Sequence, residues 1–321
     1  MTRQVDVFNG DADGICALHQ LRLAEPAPQA RLVTGVKRDV QLLSRLDDLR
    51  DADVLVLDVS LDSNREALLG LLQRGCRVRY FDHHFAGDMP QHPALEAHID
   101  PSPQLCTSLL VDAHLGGAYR AWAVTAAYGD NMVAAAREAA APLNLAPADL
   151  ADLQTLGELI NYNGYGERLA DLHLAPDALY RAIQPYAEPL DFFHEAPEAE
   201  VLREGFAGDL ARAEGLAPLL DGPAGRVFRY PGEPWARRIM GVISNRMAND
   251  APERATATVV DNPDGTLRIS VRAPLTRPRG ADELCRRYPS GGGRAGAAGV
   301  NALPPDALAR FLDDFQAVFR P

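Results

Sequence analysis

A chain of 321 residues, 47% of them hydrophobic, can bury a sizeable core and is more naturally two domains than one. Its 44 acidic against 32 basic side chains, a formal charge of -12, argue against a protein that grips long duplex DNA, because such binding needs many Lys and Arg contacts to phosphate. No apolar run approaches the ~20 residues of a spanning helix, and the first strand-like run starts too close to Met1 for a signal peptide, so a cytoplasmic enzyme without a membrane partner is expected.

From residue 5 to about 135, short β-rich runs alternate with helical ones. Strands are expected at 5–8, 31–36, 54–58, 77–81 and 97–99, with helices at 15–23, 40–49 and 64–74. Such alternation implies right-handed β-α-β units and an open parallel sheet flanked by helices on both faces. Ligands in that architecture bind beyond the carboxyl ends of the strands. Residues 137–225 are rich in Ala, Leu and Pro, with helical spacing broken at Pro142, Pro147, Pro176, Pro185, Pro189 and Pro197. They read as a helical connector. Further on come strands at 226–230, 255–260 and 267–271, helices at 236–248, 281–287 and 305–319, and a strong turn signal at Asn262-Pro263-Asp264-Gly265. The expected class is α/β: a catalytic domain over 1–137, a connector over 138–225 and a smaller α/β substrate domain over 226–321. Cys16, Cys76, Cys106 and Cys285 lack Cys-x-x-Cys spacing, so neither a zinc site nor a disulfide framework is expected.

Three strand-like runs end on acid. Val5 to Phe8 leads into Asn9-Gly10-Asp11-Ala12-Asp13-Gly14, Val54 to Leu57 ends at Asp58, and Arg77 to Phe81 runs into Asp82-His83-His84. Any one of these aspartates alone is read as easily as a helix cap. Together, Asp11, Asp13, Asp58, Asp82 and His83 put five metal-capable groups within a few strand spacings, where clustered carboxylates repel unless cations are present. Carboxylate oxygens suit a hard divalent ion, and imidazole tilts the site toward manganese, iron or zinc. His84 is the candidate for phosphate contact or proton donation, or else it orients its neighbours. Lys37 and Arg38 follow the 31–36 run on the same rim and are expected either to attract an anionic substrate or to start a solvated helix. The cluster Asn161-Tyr162-Asn163-Gly164-Tyr165-Gly166 offers aromatic rings for base stacking or for holding the connector together.

These motifs resemble the DHH phosphoesterase superfamily, in its RecJ-like and nanoRNase-like branches. Asn9-Gly10-Asp11-Ala12-Asp13-Gly14 is similar to the first motif, Asp58 to the second, Asp82-His83-His84 to the third and Asp130, in Ala-Ala-Tyr-Gly-Asp-Asn, to the fourth. Asn9 departs from the Asp or His usual there, making it a weaker ligand or none. The resemblance implies two ions, usually Mn2+ with Mg2+ or Co2+ as alternatives, bridged by Asp58 and a hydroxide. Asp11 would serve one ion and Asp13, His83 and Asp130 the other, while Asp82 holds the pair or orients His83. Downstream, Ile269-Ser270-Val271-Arg272 and Ser290-Gly291-Gly292-Gly293-Arg294 resemble the DHH-associated substrate domain, with Arg294 replacing the usual histidine. That similarity nominates Ser270, Arg272, Gly291, Gly292, Gly293, Arg294 and Asn245 as substrate-binding residues.

The implied activity is hydrolysis of a nucleotide, a short single-stranded oligonucleotide or a related small phosphate ester. A phosphoanhydride hydrolase and a catalytically weak nucleotide-binding sensor are the alternatives, and a homodimer is compatible with any of them.

Overall fold

A computed structural model describes residues 3–320 and divides the chain into two compact units, Met1–Gly205 and Phe206–Pro321. The expected connector, 138–225, is thereby split between them. Residues 1 and 2, on which the reading of a missing signal peptide leans, lie outside the described residues.

The first unit is built on five strands, β1 (Arg3–Phe8), β2 (Arg31–Val33), β3 (Ala52–Leu57), β4 (Arg77–Asp82) and β5 (Leu95–Ile99). All pair in parallel, in the order β2-β1-β3-β4-β5. Their inward runs are nearly continuous in Val, Leu, Tyr and Phe because helices cover both faces. One face packs on α2 (Leu61–Gln73), whose Leu68, Leu71 and Leu72 meet Val5, Val54, Val56 and Val78. α1 (Ala12–Ala24) is buried on most of its surface, since α3 (Thr107–His114), α4 (Arg120–Gly129), α6 (Pro147–Asn163) and α7 (Pro176–Ile183) all pack against it. α5 (Val133–Ala140) and α8 (Pro189–Glu195) adjoin α4, and α9 (Pro197–Glu214) runs into the second unit.

Three local expectations change. The 40–49 helix is only a 3-10 turn, Leu42–Leu46: the Ser44 amide donates to the Gln41 carbonyl at 3.3 Å, and the Val40 carbonyl accepts from the Asn64 side chain at 2.6 Å. The strand at 31–36 stops at Val33, on a sheet edge where β1 is its one partner. Pro147, Pro176 and Pro189 begin helices rather than break them, since a first-turn proline sacrifices no hydrogen bond.

Register decides the site. Phe8 pairs with Leu57 and Leu57 with Phe81, so Asn9, Asp58 and Asp82 stand in one row across three strands. The chain reverses direction about β1 between β2 and β3, and this row lies at that switch point. Asp130 is brought up to it by the close approach of α4 and α6. A Cβ on Gly157 would lie 2.0 Å from the Thr125 carbonyl, and one on Gly129 would lie 2.4 Å from the Ala12 Cβ.

The second unit is a six-stranded sheet in the order β10-β11-β9-β8-β7-β6, comprising β6 (Leu220–Gly222), β7 (Gly225–Tyr230), β8 (Ala255–Asp261), β9 (Leu267–Arg272), β10 (Gly291–Arg294) and β11 (Ala297–Leu303). Only β7 and β8 run parallel, joined by the crossover helix α10 (Pro234–Asp250). α11 (Ala281–Cys285) and α12 (Leu308–Val318) close a core of Val227, Val259, Ile269, Val271, Val300, Phe311 and Phe315. The final α-helix starts at Leu308, after a 3-10 turn over Pro305–Ala307. The glycine run is itself strand β10, and a Cβ on Gly291 would meet the Cys285 carbonyl at 1.7 Å.

Candidate metal centre

Asp11 ends the β1 exit and caps α1, its Oδ1 accepting from the Gly14 amide at 3.1 Å. Asp13, two residues on and fully buried, accepts from the amides of Thr107 and Ser108, each at 2.7 Å, and so also caps α3. Asp58 leaves β3 with φ of 57°, a left-handed conformation that few residues other than glycine, asparagine and aspartate adopt. Its Oδ1 accepts from the Thr107 hydroxyl at 3.2 Å. Asp130 follows α4 with its side chain 14% exposed.

His83 completes the cluster. Its Nδ1 lies 3.0 Å from the Leu105 carbonyl, which can only accept, so Nδ1 carries a proton and Nε2 is the nitrogen turned toward the acids. That Nε2 is 3.4 Å from Asp58, 3.9 Å from Asp13 and 4.0 Å from Asp130. Two overlapping groups, Asp58 with His83 and His84, and Asp13 with His83 and Asp130, have donor atoms within 4.8 Å of one another. His84 turns Nδ1 to Asp82 Oδ1 at 2.6 Å, while the other oxygen of fully buried Asp82 has no hydrogen-bond partner. Asp82 is outside both donor groups, and its one bond orients His84 rather than His83.

Burial and crowding shift the charged groups of this cluster. Burial, reinforced by Asp13, Asp11, Asp130 and Asp82, pushes Asp58 well above the ordinary carboxylate range. Burial also lifts Asp130, to about 6, against the pull of Lys37. For Asp11 burial acts upward too, but Lys37 and the Gly14 amide outweigh it and hold the group low. Asp82 raises His84 against the effect of burial. Carboxylates and one imidazole, with an orphaned buried carboxylate oxygen alongside, fit a divalent ion. Asp13, Asp58, Asp130 and His83 are the residues that would hold it.

Lys37 departs from the expected rim cation. Its ammonium lies inside the cluster, 2.5 Å from Asp11 Oδ2, 3.1 Å from Asp130 Oδ1 and 2.7 Å from Asn161 Oδ1. Arg38 stays exposed. Asn9 donates weakly to the Lys37 carbonyl at 3.4 Å, and its buried Oδ1 has no hydrogen-bond partner. Asn9, Asp11, Lys37, Asp58, His83, His84 and Asp130 line a cavity of about 350 Å³. The Asn161–Gly166 segment supports this arrangement: Asn161 and the Gly164 carbonyl bind Lys37, and Tyr162 is buried against His173. Tyr162 is therefore not available for stacking. In the second unit, Arg272 donates to Asn245 and Ser270, each at 3.0 Å, so these three expected residues do meet. Arg294 is exposed at the end of edge strand β10.

Thr107, Ser108 and the Leu105 carbonyl escape sequence reasoning, since they contact acids and a histidine far away in the chain with no local pattern to mark them. The sequence matches no family model and no curated protein. Solved structures do match. The DHH domain of a protein from a family of ribosomal proteins aligns over 98% of this chain and 86% of its own, with TM-score 0.63 and 14% identity. The chain shares the fold of this DHH domain. An exonuclease RecJ bound to manganese aligns over 98% of this chain and 89% of its own, at TM-score 0.58 and 21% identity. A pGpG-specific phosphodiesterase from Vibrio cholerae aligns over 98% and 99%, at 0.55 and 13%. Among the described residues no helix is long and apolar enough to cross a membrane.

Proposed function

We propose that this protein is a divalent-metal-dependent phosphoesterase acting on a nucleotide, a short single-stranded oligonucleotide or a related small phosphate ester. The observation that carries the reading is the convergence of Asp13, Asp58, Asp130 and His83 Nε2 at the carboxyl end of the parallel sheet. RecJ and the pGpG phosphodiesterase, which share the fold, support the reaction class, and the manganese bound to RecJ supports that ion.

A divalent ion, when bound, supplies charge for the phosphoryl oxygens and acidifies water. The protein's own part is to place the rest. Thr107 and Ser108 hold Asp13, Thr107 also holds Asp58, and Leu105 keeps His83 in the tautomer whose Nε2 faces the acids. His84, bound through Nδ1 to Asp82 and raised in basicity by it, keeps a proton at Nε2 for the leaving oxygen. The Asn245, Ser270 and Arg272 cluster, with Gly291, Gly292, Gly293 and Arg294, supplies hydrogen-bond donors suited to phosphate in a substrate-binding region over 226–321. Residues 1–137 would carry the metal chemistry.

The test is hydrolysis with Mn2+ across mononucleotides, dinucleotides, cyclic dinucleotides and pyrophosphate, for the native chain and Asp58→Ala. Turnover of an ester is expected, with loss of at least ~100-fold in the variant. Tight nucleotide binding with no turnover on any compound would overturn the reading, and turnover of pyrophosphate alone would shift it to anhydride hydrolysis.

A further inference from the structure

We propose that the Lys37 ammonium is a built-in cation of the centre, standing where a second divalent ion would otherwise sit, so that the protein takes one metal ion and not two. The inference rests on the metal-dependent reading above and specifies its stoichiometry. An ammonium has three donors and no acceptor. Here the acceptors around it are Asp11 Oδ2, Asp130 Oδ1 and Asn161 Oδ1, at 2.5, 3.1 and 2.7 Å, so no N–H is left over for a substrate. The lysine is also fixed from behind, its backbone amide donating to the Gly164 carbonyl at 2.9 Å, and the Tyr165 ring lies 5.5 Å from Nζ.

Asp11 is consumed by this arrangement. One oxygen takes the Gly14 amide and the other takes Lys37, and Asp11 belongs to neither group of converging metal donors. Asn9, on the same side, is neutral and adds no charge to attract an ion. Asp130 is shared: Oδ1 faces Lys37 and Oδ2 faces His83. The two donor groups that remain do not amount to two sites. Both depend on His83 Nε2, and a single imidazole lone pair serves one ion. In the group with His84, the nitrogen nearest Asp58 is the Nδ1 already bonded to Asp82. A second divalent ion beside Lys37 would meet like charge at short range in a buried setting, where such repulsion is weakly screened.

The experiment uses the full chain stripped with chelator and re-equilibrated with Mn2+ alone. Bound ion is counted by equilibrium dialysis with elemental analysis, and its surroundings are read by electron paramagnetic resonance. The native protein is expected to hold about one Mn2+ per chain with the resolved hyperfine signal of an isolated ion, and Lys37→Met about two with a spin-coupled signal. A native protein holding a coupled pair overturns the role of Lys37 and leaves the metal-dependent reading standing. A count of one in both proteins overturns it too, because the lysine is then not what excludes the second ion. A native protein that binds no Mn2+ removes the metal-dependent reading itself. Should Lys37→Met not fold, the native count and spectrum decide alone.

Discussion

The two ends of the parallel sheet are both concave and both rich in charge, yet they resolve that charge in opposite ways. At the amino end a cavity of about 410 Å³ is lined by acids that each have a basic partner: Asp53 with Arg77 through two bonds at 2.7 and 2.9 Å, Glu25 with Arg79 at 2.6 and 3.0 Å, and Glu96 with His98 at 2.7 Å. At the carboxyl end, in a smaller cavity, Asp13 and Asp58 have backbone amides, a hydroxyl and an imidazole, and of the acids Lys37 reaches Asp11 and Asp130. Size therefore does not distinguish a site from a surface depression here; the surplus of carboxylate does. An acid matched to an arginine needs nothing more, whereas buried acids left in excess are tolerable only if a cation joins them.

The comparison breaks most visibly at Asp82, the buried acid whose second oxygen has no partner. Asp82→Asn keeps the shape and removes the charge that raises His84. We expect turnover to fall by ~10- to 100-fold with little change in Mn2+ affinity, the pattern of a residue that positions another. An equal loss of metal would make Asp82 a ligand, and no loss of either would mean that the carboxyl end tolerates an ordinary buried amide.

A third way of handling a buried ionisable group sharpens the contrast. His19, on α1, is 1% exposed, and burial lowers it to about 4 although its Nε2 meets the Tyr186 carbonyl at 2.7 Å. It is held neutral rather than paired. The unfolded chain takes up a proton near 6.5 while the folded chain does not until about 4, so the stability involved is present above 6.5 and is lost as pH falls through that window. Urea unfolding with chelator present should show a loss of about 2 kcal/mol from this group between pH 7.5 and pH 5. His19→Gln should flatten the profile by that amount; an unchanged slope would show that His19 reaches its charged state inside the fold.

The acid-terminated strands and the α/β alternation are legible because strand period is local, whereas the first helix, expected over 15–23, starts at Ala12 where Asp11 caps it. Asp130 was nominated only by resemblance, and nothing around it in sequence says that Gly129 and Gly157 let α4 and α6 approach closely enough to deliver it. Lys37 shows the same limit more sharply. Its position after a strand suggests a rim cation, but the ammonium is held inside the cluster by Asp11, Asp130 and Asn161, the last 124 residues away, and such a set of neighbours has no periodic trace. The glycine run is also edge strand β10, and the approach of the Cys285 carbonyl to Gly291, which requires glycine there, is a packing reason that the sequence does not display.

The amino end supplies the smallest effect and the control for the rest. Arg79 and Glu25 are both partly exposed, 24% and 45%, and form a two-bonded pair whose attraction is screened by water and salt. Arg79→Ala should cost no more than about 1 kcal/mol in urea unfolding, and the difference should shrink further in high salt. Turnover and Mn2+ binding should not change, because the pair neutralises itself and lies at the opposite end of the strands from the carboxylate surplus. A tenfold fall in turnover with the fold intact would mean that the arginines of this end act on the substrate, and charge pairing would then no longer separate the two ends.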